Sequence, residues 1–459
     1  MGLLPTLLLC AVAASPSCRS TPVAEQGASA LRALECSNGA AAVVEQRPGS
    51  GTVFIRIGVR AGSRDEPLDQ AGISHLLEHL LFREGHGGTR RNPAFSELRE
   101  AGAVVNASTD FELTEYHADV PADRVEEGWA ALFSLVTGTG FDEQDLQQER
   151  RIVLQEAASG KTDPMAVAAY SVLRRVFPDD PLGQPVIGVR RTLKGITRGD
   201  VEAYHRRHYV PSSIVAVVVG DVEAPHAEAM IERTLGRLPS GLSSLEERAS
   251  PSPRRRDRFL FRTLVSQAYL LLGALTPGET SPDAPALELL ASVLGEGRAS
   301  RLHRRLVEQE ALTEQILALS FQMSDIGGFG AGAAVLPGRA AQARAALREE
   351  LQRLAREPVS TAELERARGL TRGRLALQTE TNEGRAAYRT RRLLLGLPPS
   401  LDPHREALDR ATPADLLAVA RRCWGGEHGA PGPVAIEVLP ARGFGKVLAA
   451  LRYLMFRRL

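Results

Sequence analysis

The chain has little cysteine: four in 459 residues, Cys10, Cys18, Cys36 and Cys423, with no Cys-x-x-Cys pair among them. That count and spacing argue against a disulfide scaffold and against a cysteine-built zinc ribbon. Net charge is nearly absent, since 56 Lys+Arg against 55 Asp+Glu leave +1. No global basic field therefore points to nucleic acid. A membrane-spanning run is missing as well: the apolar stretch at 3–14, LLPTLLLCAVAA, is too short for a comfortable span. With 43% hydrophobic and 24% charged residues, composition is ordinary for a globular protein. It argues against a disordered tail, a collagen-like rod or a multispan transporter. Any chemistry must come from a local site.

The two termini carry separate signals. Residues 1–27 read as a secretory leader, with cleavage near Ala13–Ala14, although no Lys or Arg precedes Arg19. The expected location is therefore exported: periplasmic or membrane-anchored in a bacterium. Cys18 is a candidate lipidation site, preceded by Ser15-Pro16-Ser17, a poor lipobox. In an exported chain Cys36 and Cys423 remain, and an oxidising compartment permits a disulfide. The tail, 443–459, holds Lys446, Arg452, Arg457 and Arg458 and no acid. Val447, Leu448, Leu451, Leu454 and Met455 would share a helix face that meets an anionic membrane or a partner, or simply docks as a terminal helix.

Between the termini, periodicity predicts strands at 52–60 and 213–221. Helices are expected at 71–83, 93–101, 123–136, 142–158, 164–176 and 198–208. A second block opens with a strand over 262–273. Helices follow near 283–294, 299–309, 338–356, 360–379 and 412–422, then a strand at 433–439. Residues 236–258, rich in Ser, Pro, Gly and Arg, read as a linker between a domain at 28–235 and another at 259–442. The blocks resemble each other. Thr197-x-x-Asp200 and Arg206-Arg207-His208-Tyr209 recur at one constant offset as Thr412-x-x-Asp415 and Arg421-Arg422-Cys423-Trp424. Asp145-Leu146 and Arg150 recur at a slightly larger offset as Glu363-Leu364 and Arg368, a difference that a small indel reconciles. Thr-x-x-Asp is also a generic helix cap, which accounts for part of the match. The expected class is α+β: two homologous mixed domains, each with helices packed on a sheet.

The chemistry is concentrated in Gly72-Ile73-Ser74-His75-Leu76-Leu77-Glu78-His79-Leu80-Leu81-Phe82. On a helix, His75 and His79 stand one turn apart on one face and can clamp a divalent ion. Glu78 points to the same side, where a carboxylate can polarise a water and carry its proton. The leucines bury the remaining face. This is the H-x-x-E-H order; the bland alternative is a solvated helix face. Catalytic zinc calls for a third protein ligand. The helix over 142–158 offers Glu149 and Glu156, two turns apart on one face, which could equally be solvated surface.

These residues resemble the family of pitrilysin, insulin-degrading enzyme and the mitochondrial processing peptidases. In that family a glutamate far downstream of the motif completes the zinc site, and another, two helical turns earlier, supports it. Here Glu156 and Glu149 follow His79 at the matching spacings. The resemblance implies one zinc per chain on His75, His79 and Glu156, with Glu78 as general base and Glu149 orienting a ligand. It extends through Gly62-Ser63-Arg64-Asp65-Glu66, and through Gly102 to Thr109, similar to the family's Gly-x-x-x-Asn-Ala-x-Thr strand. In relatives that strand is an edge to which substrate adds, so Asn106, Ala107 and Ser108 are implied in peptide binding. Asp180-Pro181-Leu182-Gly183 and His208-Tyr209-Val210-Pro211 also look like family segments, so the likeness covers roughly 35–440. It implies a zinc endopeptidase whose two domains form half of a clamshell chamber. His117, His205 and His208 are left to core or surface roles.

Two departures stand out. At the offset that pairs Asp145 with Glu363, Glu149 falls on Ala367 and Glu156 on Arg374, so the second domain keeps no metal site. Many relatives also carry an Arg–Tyr pair that binds substrate and the developing oxyanion; the aligned positions here are Val307 and Glu314. Arg304 and Arg305 are candidate substitutes for the Arg, though both precede it. The departure implies a homologous partner subunit supplying the pair, and leaves open a non-catalytic scaffold or binding subunit.

Overall fold

The computed structural model describes residues 17–27, 30–82, 93–138, 140–160, 164–241, 251, 253, 258–425 and 434–441. Residues 1–16 of the expected leader, the basic tail and most of the linker lie outside the described residues.

Two sheets organise the described chain. The first has seven strands: β1 (Cys18–Pro22), β2 (Ala30–Cys36), β3 (Ala41–Gln46), β4 (Thr52–Val59), β5 (Val104–Thr109), β6 (Thr114–Pro121) and β7 (Ile214–Gly220). Their order is β1-β2-β3-β7-β4-β6-β5. The second has β8 (Arg258–Thr263), β9 (Ala268–Pro277), β10 (Gln315–Gln322), β11 (Ile326–Val335) and β12 (Val434–Pro440), in the order β10-β11-β9-β12-β8. β7 runs parallel to β3 and antiparallel to β4; β12 runs parallel to β8 and antiparallel to β9. Each sheet then continues antiparallel to an edge strand, β6 to β5 in one and β11 to β10 in the other. The duplication expected from sequence is thus a duplication of topology. Helices Glu143–Gly160 and Thr361–Gln378 correspond at the offset that pairs Asp145 with Glu363, as do Pro164–Val176 and Asn382–Leu394.

Sequence explains the central strands. β7, Ile-Val-Ala-Val-Val-Val-Gly, is buried at every position, as a β-branched run covered on both faces should be. β9 alternates buried with half-buried residues. The strand expected over 262–273 is two strands, β8 and β9. The break falls at 264–267, where Leu264 is exposed and Val265 N–H turns back to Thr263 O at 3.0 Å.

The two halves exchange helices. Pro164–Val176, from the first half, covers the outer face of the second sheet, where Val172 and Val176 meet Phe259 and Ile436. Asn382–Leu394, from the second half, covers the outer face of the first sheet, with Ala386 among Val43, Phe54, Val217 and Val219. Sequence pattern does not predict this second helix, because NEGRAAYRTRRLL reads as a polar, basic segment. Its Arg389 is 1% exposed and donates to Glu45 Oε2 and Glu25 Oε1, both at 2.8 Å, and to Pro399 O at 2.7 Å. A buried guanidinium needs such a complete set of partners. The boundary at 236–258 therefore divides the sequence but not the packing.

The bound of the expected leader needs correction. β1 lies inside residues 1–27 and pairs with β2, and Cys18 and Cys36 are cross-strand partners joined by a disulfide. The sulfur offered as a candidate lipidation site is bonded to Cys36. Cys423, the other candidate for a bridge with Cys36, is a buried free thiol. Among the described residues, no helix is long and apolar enough to cross a membrane.

Candidate metal centre

Helix Ile73–Phe82 begins where the chain is tightly constrained. Gly72 has φ +97°, and a Cβ there would meet Gly188 Cα at 2.8 Å, so glycine is required. Glu66 accepts hydrogen bonds from Gly72 N–H at 2.7 Å and Ser74 N–H at 2.9 Å. Its carboxylate thus satisfies otherwise unpaired donors at the helix start. Burial pushes Glu66 up to about 8, against those two N–H groups. Ser74 Oγ shares a 2.8 Å hydrogen bond with Tyr204 OH. Leu76 and Leu77 are fully buried; each such side chain contributes about 2 kcal/mol by leaving water. The inward face thereby fixes where the opposite face points.

That opposite face meets helix Glu143–Gly160. His75 Nε2 lies 4.0 Å from Glu156 Oε1, and His79 Nε2 lies 3.5 Å from Glu156 Oε2. One ligand atom from each of His75, His79 and Glu156 falls within 4.8 Å of the others. On its far side His79 Nδ1 is 3.5 Å from Glu149 Oε2. Glu149 is 5% exposed while the Glu156 side chain is 52% exposed. The two glutamates therefore split into a buried one behind the imidazole and an outer one facing both rings. That division fits an orienting group and a ligand.

Electrostatics agree with a cation site. Burial, aided by His79, pushes His75 down to about 4, which leaves a neutral imidazole at pH 7. His75 Nδ1 is buried with no hydrogen-bond partner among the described residues. Burial also lowers His79, but Glu149, Glu78 and Glu156 outweigh it and hold the ring above the usual range. A divalent ion would replace that proton. Two imidazoles and one carboxylate, with an acceptor behind one ring, suit zinc with one position left open. Glu78 is 8% exposed, and burial raises its carboxyl while the Thr109 hydroxyl, donating to Oε2 at 2.7 Å, opposes the rise.

The expected peptide-binding residues lie on β5, which is the edge of its sheet. Asn106 and Ser108 are exposed and Ala107 is half-buried; Asn106 Oδ1 accepts from Ala107 N–H at 2.9 Å. The other histidines are elsewhere. His205 Nε2 bonds Val136 O at 2.9 Å, His208 packs on Tyr204, and His117 stacks on Phe54. Of the two candidate substitutes for the missing Arg, Arg304 is exposed and Arg305 is engaged by Glu310, Glu349 and Glu350. Glu66 and Thr109 fall within the sequence motifs, yet the motifs assign neither a role. Both act through turns, which leave no periodic signal.

Known proteins resemble this chain along most of its length. Residues 41–190 match the family described as Insulinase (Peptidase family M16), and residues 195–370 match Peptidase M16 inactive domain. An uncharacterized zinc protease of Mycobacterium bovis is 30% identical over 424 residues, covering 90% of this chain and 95% of the relative. The uncharacterized zinc protease YmxG of Bacillus subtilis is 27% identical over 382 residues, covering 81% and 90%. Among solved structures, a protease from Helicobacter pylori superposes with TM-score 0.77 at 20% identity, covering 92% of this chain and 100% of that one. A peptidase M16 inactive domain from Pseudomonas fluorescens superposes with TM-score 0.80 at 18% identity, covering 90% and 98%. A chain of complex III2 from Candida albicans shares the fold with TM-score 0.74 at 18% identity, covering 92% and 98%. The first match carries the histidine–glutamate cluster, the second begins early enough to take in β7 of the first sheet as well as most of the second half, and the chain belongs to the insulinase family of peptidases, M16.

Proposed function

We propose that the protein is a zinc-dependent endopeptidase that hydrolyses peptides or unfolded segments. The observation that carries this reading is the convergence of His75, His79 and Glu156, with Glu78 on the helix of the two histidines. Zinc held there supplies Lewis acidity toward the scissile carbonyl and a water of lowered pKa. Glu78 takes the proton of the attacking water and returns it to the leaving amine. Its raised, buried carboxyl suits that exchange. Glu149 holds the His79 ring through Nδ1. The free edge of β5 binds an extended substrate by backbone hydrogen bonds, with Asn106, Ala107 and Ser108 lining it. The two halves form one side of a chamber closed by a second subunit.

Metal analysis after zinc reconstitution tests the reading. One zinc per chain is expected, and less than about half a zinc would overturn it. We place the chain in an exported, oxidising compartment, on the strength of the Cys18–Cys36 disulfide. Protection of both cysteines from alkylation in cell extracts supports this, and free thiols in vivo would refute it.

One observation favours a second reading, a non-catalytic binding subunit. Val307 and Glu314 occupy the places of the Arg–Tyr pair, and of the two candidate substitutes Arg305 is tied to Glu310, Glu349 and Glu350. Cleavage assays with and without a homologous partner separate the cases. Cleavage that needs the partner indicates a heteromeric peptidase, and none with zinc fully bound indicates the binding subunit.

A further inference from the structure

Among the described residues, Glu78 is gripped by a hydrogen bond at one oxygen. Thr109 Oγ1 donates to its Oε2 at 2.7 Å, and Thr109 is the last residue of the edge strand β5. The turn that follows, Asp110 to Leu113, is fastened at both ends. Asp110 Oδ1 accepts from Glu112 N–H at 2.6 Å and Leu113 N–H at 2.9 Å, while Asp110 O accepts from Ser63 N–H at 3.0 Å. At its tip Glu112, 5% exposed, reaches across to the second half. Its carboxylate accepts from Ser324 N–H at 2.9 Å and Arg391 Nη2 at 3.0 Å, and from Arg64 Nη1 at 3.0 Å within its own half. Arg64 in turn donates to Asp325 at 2.7 Å. Ser324 and Asp325 form the turn between β10 and β11, and Arg391 lies on the exchanged helix Asn382–Leu394. The hairpin tip of one half is thus clasped by the matching hairpin tip of the other.

We propose that Thr109 is a positioning residue that sets the orientation of the Glu78 carboxylate. The degenerate half holds Thr109 in place by closing on the adjoining turn through Glu112. The inference rests on the peptidase reading for its kinetic consequence, but not for its geometry. A carboxylate on a two-carbon stem, gripped at one oxygen, presents the other in a fixed direction. Loss of the grip costs turnover rather than binding, since ground-state contacts along β5 are untouched. A buried, fully paired carboxylate at the turn makes the clasp rigid, because removing one partner leaves the other unpaired.

The experiment compares Thr109→Val, Thr109→Ser and Glu112→Gln in the full-length zinc protein. Thr109→Val should lower kcat about tenfold with KM within twofold, with unchanged zinc content and Tm. Thr109→Ser should restore kcat to within about threefold of the parent, because it keeps the hydroxyl. Glu112→Gln should lower kcat similarly, and the Thr109→Val/Glu112→Gln double variant should be no slower than the slower single variant. If Glu112→Gln fails to fold, Ser324→Ala, which removes the hydroxyl that donates to Glu112 Oε1 beside the backbone N–H, takes its place. Unchanged kcat in Thr109→Val, or a loss that follows zinc content, would overturn the role of Thr109; multiplying losses in the double variant would overturn the link to Glu112. A crystal structure of zinc-loaded Thr109→Val decides the geometry independently. A displaced Glu78 carboxylate supports the proposal even if the parent cleaves nothing, which would fault the peptidase reading alone, and an unmoved carboxylate refutes it.

Discussion

The same place in the two halves is furnished differently. In the first half His75, His79 and Glu156 converge across helices Ile73–Phe82 and Glu143–Gly160. In the second half the corresponding helices are Ala284–Gly295 and Thr361–Gln378, and Arg374 stands where Glu156 would be. Its guanidinium reaches Glu288 Oε1 at 2.9 Å and Glu296 Oε1 at 2.8 Å, and His404 Nε2 lies 3.0 Å from Glu288 Oε2. On the proposed reading, a positive charge joins the two helices in both halves. In one it is a bound ion; in the other it is part of the chain. The built-in charge needs no loading, but it offers no open coordination position and no Lewis acidity. Structure is retained where chemistry has gone.

Four variants test that contrast. Glu78→Gln should retain zinc and lose at least about a thousandfold in kcat, whereas Arg374→Met should leave kcat within twofold; peptide-cleavage kinetics beside metal analysis read both. Equal losses would break the division between a chemical and a structural half. Glu149→Ala should weaken zinc binding about 10- to 100-fold by freeing His79 Nδ1, measured by competition with a chelating dye. Arg374→Met should also lower stability by about 1 kcal/mol, a modest figure because the side chain is 37% exposed. Thermal unfolding checks it, and a fall in zinc content there would contradict the contrast. The smallest effect concerns pH. The hydrogen bond from Arg301 holds Glu363 down at about 2, against burial. Its folded value lies below the unfolded one near 4.5, so the unfolded state binds more protons between them. The stability it adds is present above pH 4.5 and is lost as pH falls through about 2. Acid unfolding of Glu363→Gln should lack that part of the slope, while zinc release from the first half follows its own curve.

Much of this is legible in sequence because the signals are local. The spacing of His75, Glu78 and His79 needs one helix, and the two turns between Glu149 and Glu156 need another. Recurring Thr-x-x-Asp caps mark the duplication, and both open helices as expected. What escapes are features assembled from distant segments. Asn382–Leu394 looks like a solvated basic stretch because the carboxylates that receive Arg389 lie near the other end of the chain, at Glu25 and Glu45. The Cys18–Cys36 bridge is obscured by a leader reading that assigns Cys18 to a discarded piece. Glu66 and Thr109 act at the ends of elements, where spacing carries no period.

The exchange of helices has a consequence in time. The first sheet is complete in sequence once β7 ends at Gly220, yet its outer face is covered only when Asn382–Leu394 exists. At about 5–20 residues per second, roughly 170 residues of further synthesis take on the order of 10–35 s. Through that interval Val43, Phe54, Val217 and Val219 remain a bare apolar patch on the emerging chain. A protein built this way cannot mature one half at a time: a ribosome-bound or partly translocated chain presents a holding chaperone with a ready surface, and release is timed by the arrival of a helix from the far end.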